Sequence, residues 1–217
     1  MTPYKRIFTA LALGMFSVAL SYAASAAEPP VTWLMNGGYA APVGTTADYL
    51  QGGWTLGGGV AVKWQPSSPL SAQFDLSFSD FQATNKLINL GQSQSAYRID
   101  SGRGEVWALT GALKFTSALS AGVHGYGLLG IGGYHRYVEL TQDVYAAYCD
   151  PWWGICYAGP GNAVVLSKSQ TKFGWNAGVG VEFPLRYGGA WFLEARYHWI
   201  DGDKQTEYLP IQIGYRF

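Results

Sequence analysis

Apolar and polar residues alternate along most of the chain after Val31. In the clearest run, Trp54–Trp64, every second residue is bulky and apolar or is glycine, and the residues between them are small or polar. A period of two is typical of a β-strand whose two faces meet different surroundings. The pattern predicts eight strands, which are Val31–Tyr39, Trp54–Trp64, Leu70–Phe81, Arg103–Phe115, Val123–Tyr137, Phe173–Phe183, Trp191–Trp199 and Leu209–Phe217. Glycines stand on both faces of Val123–Tyr137, so the sequence does not say which face of this strand points inward.

The segments between these strands alternate in length. Short turns rich in Pro, Ser or Gly are predicted at Gln65–Pro69, Thr116–Ser120 and Leu185–Gly189. Longer links are predicted at Ala41–Gly53, Gln82–Gly102, Glu139–Gln170 and Asp201–Thr206. Short turns at one end and long loops at the other are typical of outer-membrane barrels with an even number of strands. We therefore predict an all-β fold, an eight-stranded antiparallel up-and-down transmembrane β-barrel.

The first 27 residues form a segment of a different kind. Lys5 and Arg6 precede the apolar stretch Ile7–Leu20, and small residues at 23–27 then offer a cleavage site, which is the pattern of a secretory signal peptide. The apolar stretch is shorter than the ~20 residues that a membrane-spanning helix needs. We expect a signal peptide at residues 1–27 and one barrel domain at 28–217, with no further domain.

The distribution of charge distinguishes a membrane barrel from a soluble one. Charged residues make up only 13% of the chain, about half the roughly 25% of soluble domains. The polar face of the strands is mostly small, which fits a narrow interior, whereas the large aromatics suit a lipid-facing surface. We predict a network of inward-facing charges made of Lys63, Asp75, Lys114, Glu182, Glu194, Arg196 and Arg216. The formal net charge is zero, so no nucleic-acid partner is expected.

Aromatic residues cluster at both ends of the predicted strands. Trp54 and Trp64 are ten residues apart on one strand, which at ~3.3 Å per residue and a ~45° tilt spans roughly 23 Å, close to the ~25 Å apolar band of a membrane barrel. Two aromatic girdles at this separation favour a membrane barrel. A soluble lipocalin-like ligand binder is the alternative.

These features resemble a known family. The glycine-rich Gly174–Phe183, the stretch Leu193–Tyr197 and the closing Ile211–Phe217 are similar to the eight-stranded outer-membrane β-barrels that include the OmpA transmembrane domain, OmpX and the opacity adhesins. The resemblance implies that Ile213, Tyr215 and Phe217 form an assembly signal for the barrel assembly machinery. It also implies the outer membrane of a Gram-negative-type bacterium, with loops outside, both termini periplasmic, and lipid and lipopolysaccharide around the barrel.

The longest predicted loop contains both cysteines of the chain. Cys149 and Cys156 are expected to form a disulfide, because the exported compartment is oxidising. The bridge would display Trp152, Trp153 and Ile155 at the tip of the loop. These residues are candidates for contact with a surface ligand or a host partner, or for packing on the barrel rim.

We predict a non-enzymatic role in envelope integrity or adhesion, without a cofactor. A narrow passive channel is the first alternative, although eight strands leave an interior only wide enough for side chains. A lipid-modifying enzyme is a further alternative. It is disfavoured because no nucleophile stands beside a base by spacing, and we interpret His198 as a polar residue of the interior or rim.

Overall fold

A computed structural model describes residues 31–65, 68–120, 122–150, 152, 154–185, 188–202 and 205–217. The predicted signal peptide at 1–27 and the candidate contact residue Trp153 lie outside the described residues. Within the described residues, no helix is long and apolar enough to cross a membrane.

Eight antiparallel strands close into a barrel, which confirms the predicted fold class. They are β1 Val31–Pro42, β2 Leu50–Lys63, β3 Leu70–Ala83, β4 Ser101–Ser120, β5 Val123–Cys149, β6 Cys156–Pro184, β7 Ala190–Ile200 and β8 Thr206–Arg216. Each strand pairs with the next along the chain, and the register from Leu34 opposite Arg216 to Pro42 opposite Tyr208 joins β1 to β8. Closure leaves no free sheet edge within the barrel wall.

The two faces of each strand meet the surroundings that the alternation predicts. Along β5, Tyr126, Leu128 and Tyr134 are buried inside, whereas Leu129 and Ile131 are exposed on the outer surface. The even-numbered residues of this part of β5 therefore face inward, which settles the face that the sequence leaves open. Outside, aromatic rings pack side by side near both barrel ends, as in Trp54–Phe78–Trp107 and Trp191–Tyr215–Phe217.

Two of the segments predicted to connect strands are themselves part of strands, so these two predictions are wrong. Thr116–Ser120 continues β4 and pairs with the start of β5, and Gly122, directly before β5, has a φ of +84° that favours glycine. Glu139–Gln170 is largely a paired β-hairpin, since β5 and β6 stay in register up to Cys149 opposite Cys156. Neither segment has a continuous apolar stripe, so the periodicity that marks the other strands is weak there.

Two of the other long links carry short helices at the same end of the barrel. A 3₁₀ turn spans Gly44–Asp48, and helix α1 spans Asn85–Gln94. The Thr84 hydroxyl caps α1 by accepting a hydrogen bond from the Leu87 amide at 3.4 Å. These elements and the β5–β6 hairpin surround the mouth of the barrel at the end opposite to the chain termini.

Candidate functional site

An ion-pair network fills the middle of the barrel, and Arg196 is at its centre. Its guanidinium binds the Asp75 carboxylate through Nη1 at 2.7 Å and the Glu194 carboxylate through Nη2 at 2.7 Å. Gln73 donates to both oxygens of Asp75 at 3.0 and 3.1 Å, and the Tyr126 hydroxyl donates to Glu194 at 2.9 Å. Each buried carboxylate therefore has a cation and a neutral donor, which is the condition for burying charge at low cost.

A second group of charges lies beside the first. The Glu182 carboxylate is paired with the Lys114 ammonium and with Nη1 of Arg216, the latter at 2.7 Å. The Lys114 ammonium stands 3.9 Å from the centre of the Tyr126 ring, and Arg216 donates to Gln73 at 3.2 Å. Tyr126 and Gln73 thus connect the two groups. Together they hold three cations and three carboxylates.

Lys63 does not belong to this network, so that part of the prediction is wrong. Its place in the alternation is the inward one, but it is the last residue of β2 and its side chain is exposed. At the strand end the inner face opens to water, so the alternation no longer implies burial.

An aromatic layer lies between the network and the barrel mouth. The His198 ring stacks on Tyr208 with centroids 4.6 Å apart, and a 3.0 Å hydrogen bond joins His198 Nδ1 to the Tyr134 hydroxyl. Phe81 packs edge-on against Tyr208 at 5.6 Å. All four side chains are buried, and Ala40, Val106, Ala108 and Ile200 belong to the same apolar cluster. Alternation places His198 on the inner face, but the sequence analysis did not identify this layer, since its members come from four strands.

A cavity of about 820 Å³ opens above this layer at the barrel mouth. Its apolar lining includes Leu50, Val106 and two residues of α1, Leu87 and Leu90. The inner faces of β5 and β6 contribute Arg136, Lys168 and Gln170. The Arg136 guanidinium donates to Gln170 Oε1 at 2.9 Å and to the Thr206 hydroxyl of β8, so it is held between three strands. The sequence analysis did not select these residues, because Lys168 and Gln170 lie in the segment predicted to be a loop, and Arg136 lies in a predicted strand whose inward face the sequence leaves open.

The β5–β6 hairpin rises past the rim of the barrel. The disulfide predicted between Cys149 and Cys156 is present at its end, and Trp152 and Ile155 in the tip are both exposed. The Asp150 amide donates to the Ile155 carbonyl at 2.9 Å, and Gly154 adopts a φ of +64°. The tip is therefore a closed turn that presents apolar side chains to the outside.

The residues of the expected assembly signal share the outer face of β8. Ile213 and Phe217 are exposed there, and Tyr215 stacks on Phe217 with centroids 6.1 Å apart. Phe217 also extends the pairing with β1, because its amide and carbonyl each bond to Trp33 at 2.9 Å. This geometry places the three side chains toward lipid, and their role in assembly stays a prediction.

A closed barrel with an apolar outer face, two aromatic belts and a neutralised charged interior defines the class of membrane-spanning β-barrels. The family model described as "Outer membrane protein beta-barrel domain" matches residues 8–217, so the chain belongs to that family. The match confirms the family that the sequence resembles and the outer-membrane location.

Solved structures that match this chain share little of its sequence. Neisserial surface protein A is 11% identical with a TM-score of 0.53, and the alignment covers 86% of this chain and 96% of that one. Ail of Yersinia pestis, solved with the heparin analogue sucrose octasulfate, is 16% identical with a TM-score of 0.44 over 86% and 97% of the two chains. OprG of Pseudomonas aeruginosa is 12% identical with a TM-score of 0.45 over 86% and 95%. No curated protein matches the sequence.

Proposed function

We propose that this protein is a non-enzymatic surface protein of the outer membrane that contacts a macromolecular partner through the tip of its β5–β6 hairpin. The observation that carries the proposal is the length of the hairpin beyond its neighbours. The first residue of β4, Ser101, pairs with Thr141, so the eight residues from Gln142 to Cys149 extend past β4. At ~3.3 Å per residue, this part extends about 26 Å along the strand beyond the end of β4.

The base of the hairpin is braced, which supports a role in display. Leu140 and Val165 pack with Ala83, Ile99 and the α1 residues Leu87 and Ile88 in a small apolar cluster. The contact is close at Gly91, where an added Cβ would stand 2.3 Å from the Leu140 side chain. A strand pair anchored in this way holds its tip at a fixed height, which lowers the entropy cost of binding.

The chemistry of the tip supports contact with a partner. Trp152 is 87% exposed and Tyr145 is 79% exposed, while Ile155 adds an aliphatic side chain within the disulfide-closed turn. Exposed aromatic side chains on a rigid loop are typical anchors of protein interfaces. The partner class we propose is a host or environmental surface molecule. Lipid and lipopolysaccharide surround the barrel, and the barrel assembly machinery inserts it.

The interior supports this role over the two alternatives. The ion-pair network and the aromatic layer occupy successive levels of the lumen, which favours a closed barrel over a passive channel. His198 is 4% exposed and bonded to Tyr134, which does not favour it as a base acting on membrane lipid.

Adhesion of whole cells tests the proposal. Cells that display the wild-type protein are compared with cells that display a Trp152→Ser/Ile155→Ser variant, on surfaces coated with fibronectin, laminin or heparin and on epithelial monolayers. We expect the variant to lose most of the adhesion that the wild-type protein confers on at least one surface. Leu119→Ser, an exposed apolar residue at the opposite end of the barrel, is the matched control.

Heat-dependent gel mobility verifies that all three proteins are folded in the outer membrane. Equal adhesion by the tip variant and the wild-type protein, or an equal loss in Leu119→Ser, would contradict the proposed role of the hairpin tip.

A further inference from the structure

The outer half of the β5–β6 hairpin, from Val144 to Leu166, is almost free of charge. Asp150 is the only charged residue in this segment, which also contains five Trp or Tyr residues. Tyr and Trp combine an apolar ring with a polar atom, and they are enriched where proteins cross from water into lipid. The composition of the segment is therefore that of a membrane interface, although the segment extends beyond the neighbouring strand β4.

The turn at the end of the hairpin bonds its own backbone. The Asp150 amide donates to the Ile155 carbonyl, and the Gly154 amide donates to the Asp150 carbonyl, both at 2.9 Å. The Trp152 amide donates to the Asp150 carboxylate at 2.8 Å. A peptide N–H that enters an apolar layer without a partner is costly. These three amides already have partners within the turn, so that cost does not arise for them.

Apolar side chains lead the hairpin outward. Trp152 is 87% exposed and Ile155 is 48% exposed, and both belong to the turn that the disulfide closes. Tyr145 is 79% exposed and stands four residues before Cys149, which places it about 13 Å farther back along the strand. Interfacial segments bury their apolar side chains roughly 5–10 Å below the headgroups of a bilayer. Trp152 and Ile155 would therefore enter lipid first, with Tyr145 behind them on the water side.

The charge of the segment indicates which lipid it suits. Lysine, arginine and histidine are all absent from Val144 to Leu166, and the one ionisable side chain that could carry a full charge at neutral pH is the carboxyl group of Asp150. Attraction to anionic lipid requires basic residues near the membrane surface. A layer rich in anionic lipid therefore offers this segment no electrostatic gain, whereas a zwitterionic phospholipid layer does not repel it.

We propose that the hairpin tip inserts Trp152 and Ile155 into the headgroup layer of a facing membrane of zwitterionic phospholipid. The inference rests on the proposed function, because the same tip makes the surface contact, and it adds lipid to what the tip binds. The driving force is the removal of apolar side chains from water. A protein or glycan receptor at the tip is the competing result of the test.

Capture of phosphatidylcholine vesicles tests the proposal, with the full chain in nanodiscs fixed to a biolayer-interferometry sensor and empty nanodiscs as the baseline. We expect capture above this baseline. Trp152→Ser/Ile155→Ser should reduce capture by at least about tenfold, because both inserting side chains are lost. Trp152→Tyr/Ile155→Leu keeps an aromatic and an aliphatic side chain and should retain most of the capture. Leu119→Ser, at the opposite end of the barrel, should leave capture unchanged.

Lipid composition and salt separate insertion from charge attraction. Adding phosphatidylserine to the vesicles should not increase capture, and salt should not weaken it, since the segment has no cation to be screened. The proposal is overturned if the Trp152→Ser/Ile155→Ser variant captures as many vesicles as the wild-type protein, if Leu119→Ser loses as much, or if capture requires phosphatidylserine.

Comparison with the adhesion assay separates this proposal from the proposed function. If the tip variant loses adhesion but the wild-type protein captures no phosphatidylcholine vesicles, the surface contact stands and insertion into lipid is overturned. If capture depends on the tip but adhesion does not, insertion into lipid is supported and the proposed adhesive role is contradicted.

Discussion

Replacing Arg196 by methionine should destabilise the barrel strongly, because the change leaves two buried carboxylates without their cation. Asp75 and Glu194 are 5% and 1% exposed, and each bonds to Arg196 at 2.7 Å. Removing one partner of a buried ion pair typically costs about 3–5 kcal/mol. Gln73 and Tyr126 still donate to the two carboxylates, so we expect a loss near the lower end, about 3 kcal/mol.

The assay is urea unfolding of the protein in lipid vesicles, followed by tryptophan fluorescence and by heat-dependent gel mobility. With a denaturant slope of about 2 kcal/mol per molar urea, a loss of about 3 kcal/mol lowers the unfolding midpoint by about 1.5 M. The triple variant Arg196→Met/Asp75→Asn/Glu194→Gln removes all three charges and should regain most of this stability. Lys63→Met, an exposed cation outside the network, should change the free energy of unfolding by under about 0.5 kcal/mol.

Two results would refute this reasoning. If Arg196→Met unfolds within about 0.5 kcal/mol of the wild-type protein, the network does not contribute as its burial implies. If the triple variant is as unstable as the single one, the loss comes from the shape of the Arg196 side chain and not from unpaired charge.

Three further predictions concern the hairpin and the closing strand. Gly91→Leu should separate α1 from Leu140, because even a Cβ at this position would stand 2.3 Å from the Leu140 side chain. Limited proteolysis should then cut the loop that contains α1 faster than in the wild-type protein, while the heat-dependent gel mobility of the barrel is retained. Replacing Cys149 and Cys156 by serine opens a link between residues only seven apart, so we expect a local loss of roughly 2–3 kcal/mol, faster proteolysis at the tip and an unchanged urea midpoint of the barrel. Deleting Phe217 removes its two backbone bonds to β1 and an outer-face ring, and should lower the amount of heat-shifted protein in outer-membrane fractions, whereas Phe217→Tyr should not.

The strands could be predicted from the sequence wherever one face meets lipid and the other the interior. Trp54–Trp64 shows this well, since its bulky residues lie on one side and its small residues on the other. The signal fails for Glu139–Gln170, because most of the described residues of this hairpin are exposed or half-buried on both faces, so that its pairing imposes no alternation. Helix α1 was missed for a similar reason, because few of its residues are buried and its sequence is largely polar.

The members of the interior network could be predicted, with Lys63 as the exception, but their partners could not. The alternation of inward and outward residues along each strand is enough to assign Arg196 and Asp75 to the inner face. Their contact joins β7 to β3, which are on opposite sides of the ring and do not pair as strands. Such a bond across the lumen depends on the radius of the barrel and on the stagger of all the strands between, and neither is a property of the two local sequences.

Charged side chains are arranged differently in the middle of the barrel and at its mouth, because they are buried in the middle and reached by water at the mouth. In the middle of the barrel, Lys114 and Arg196 are almost completely buried, so each must face a carboxylate to offset its desolvation. At the mouth, Lys168 is exposed and Lys172 is half-buried, so an unpaired ammonium there costs little while it remains hydrated. The network therefore joins opposite walls of the lumen, whereas the side chains of Lys168 and Lys172 are within reach of water. Stability and surface chemistry consequently reside at different depths of one barrel, and substitutions at one level should change the other little.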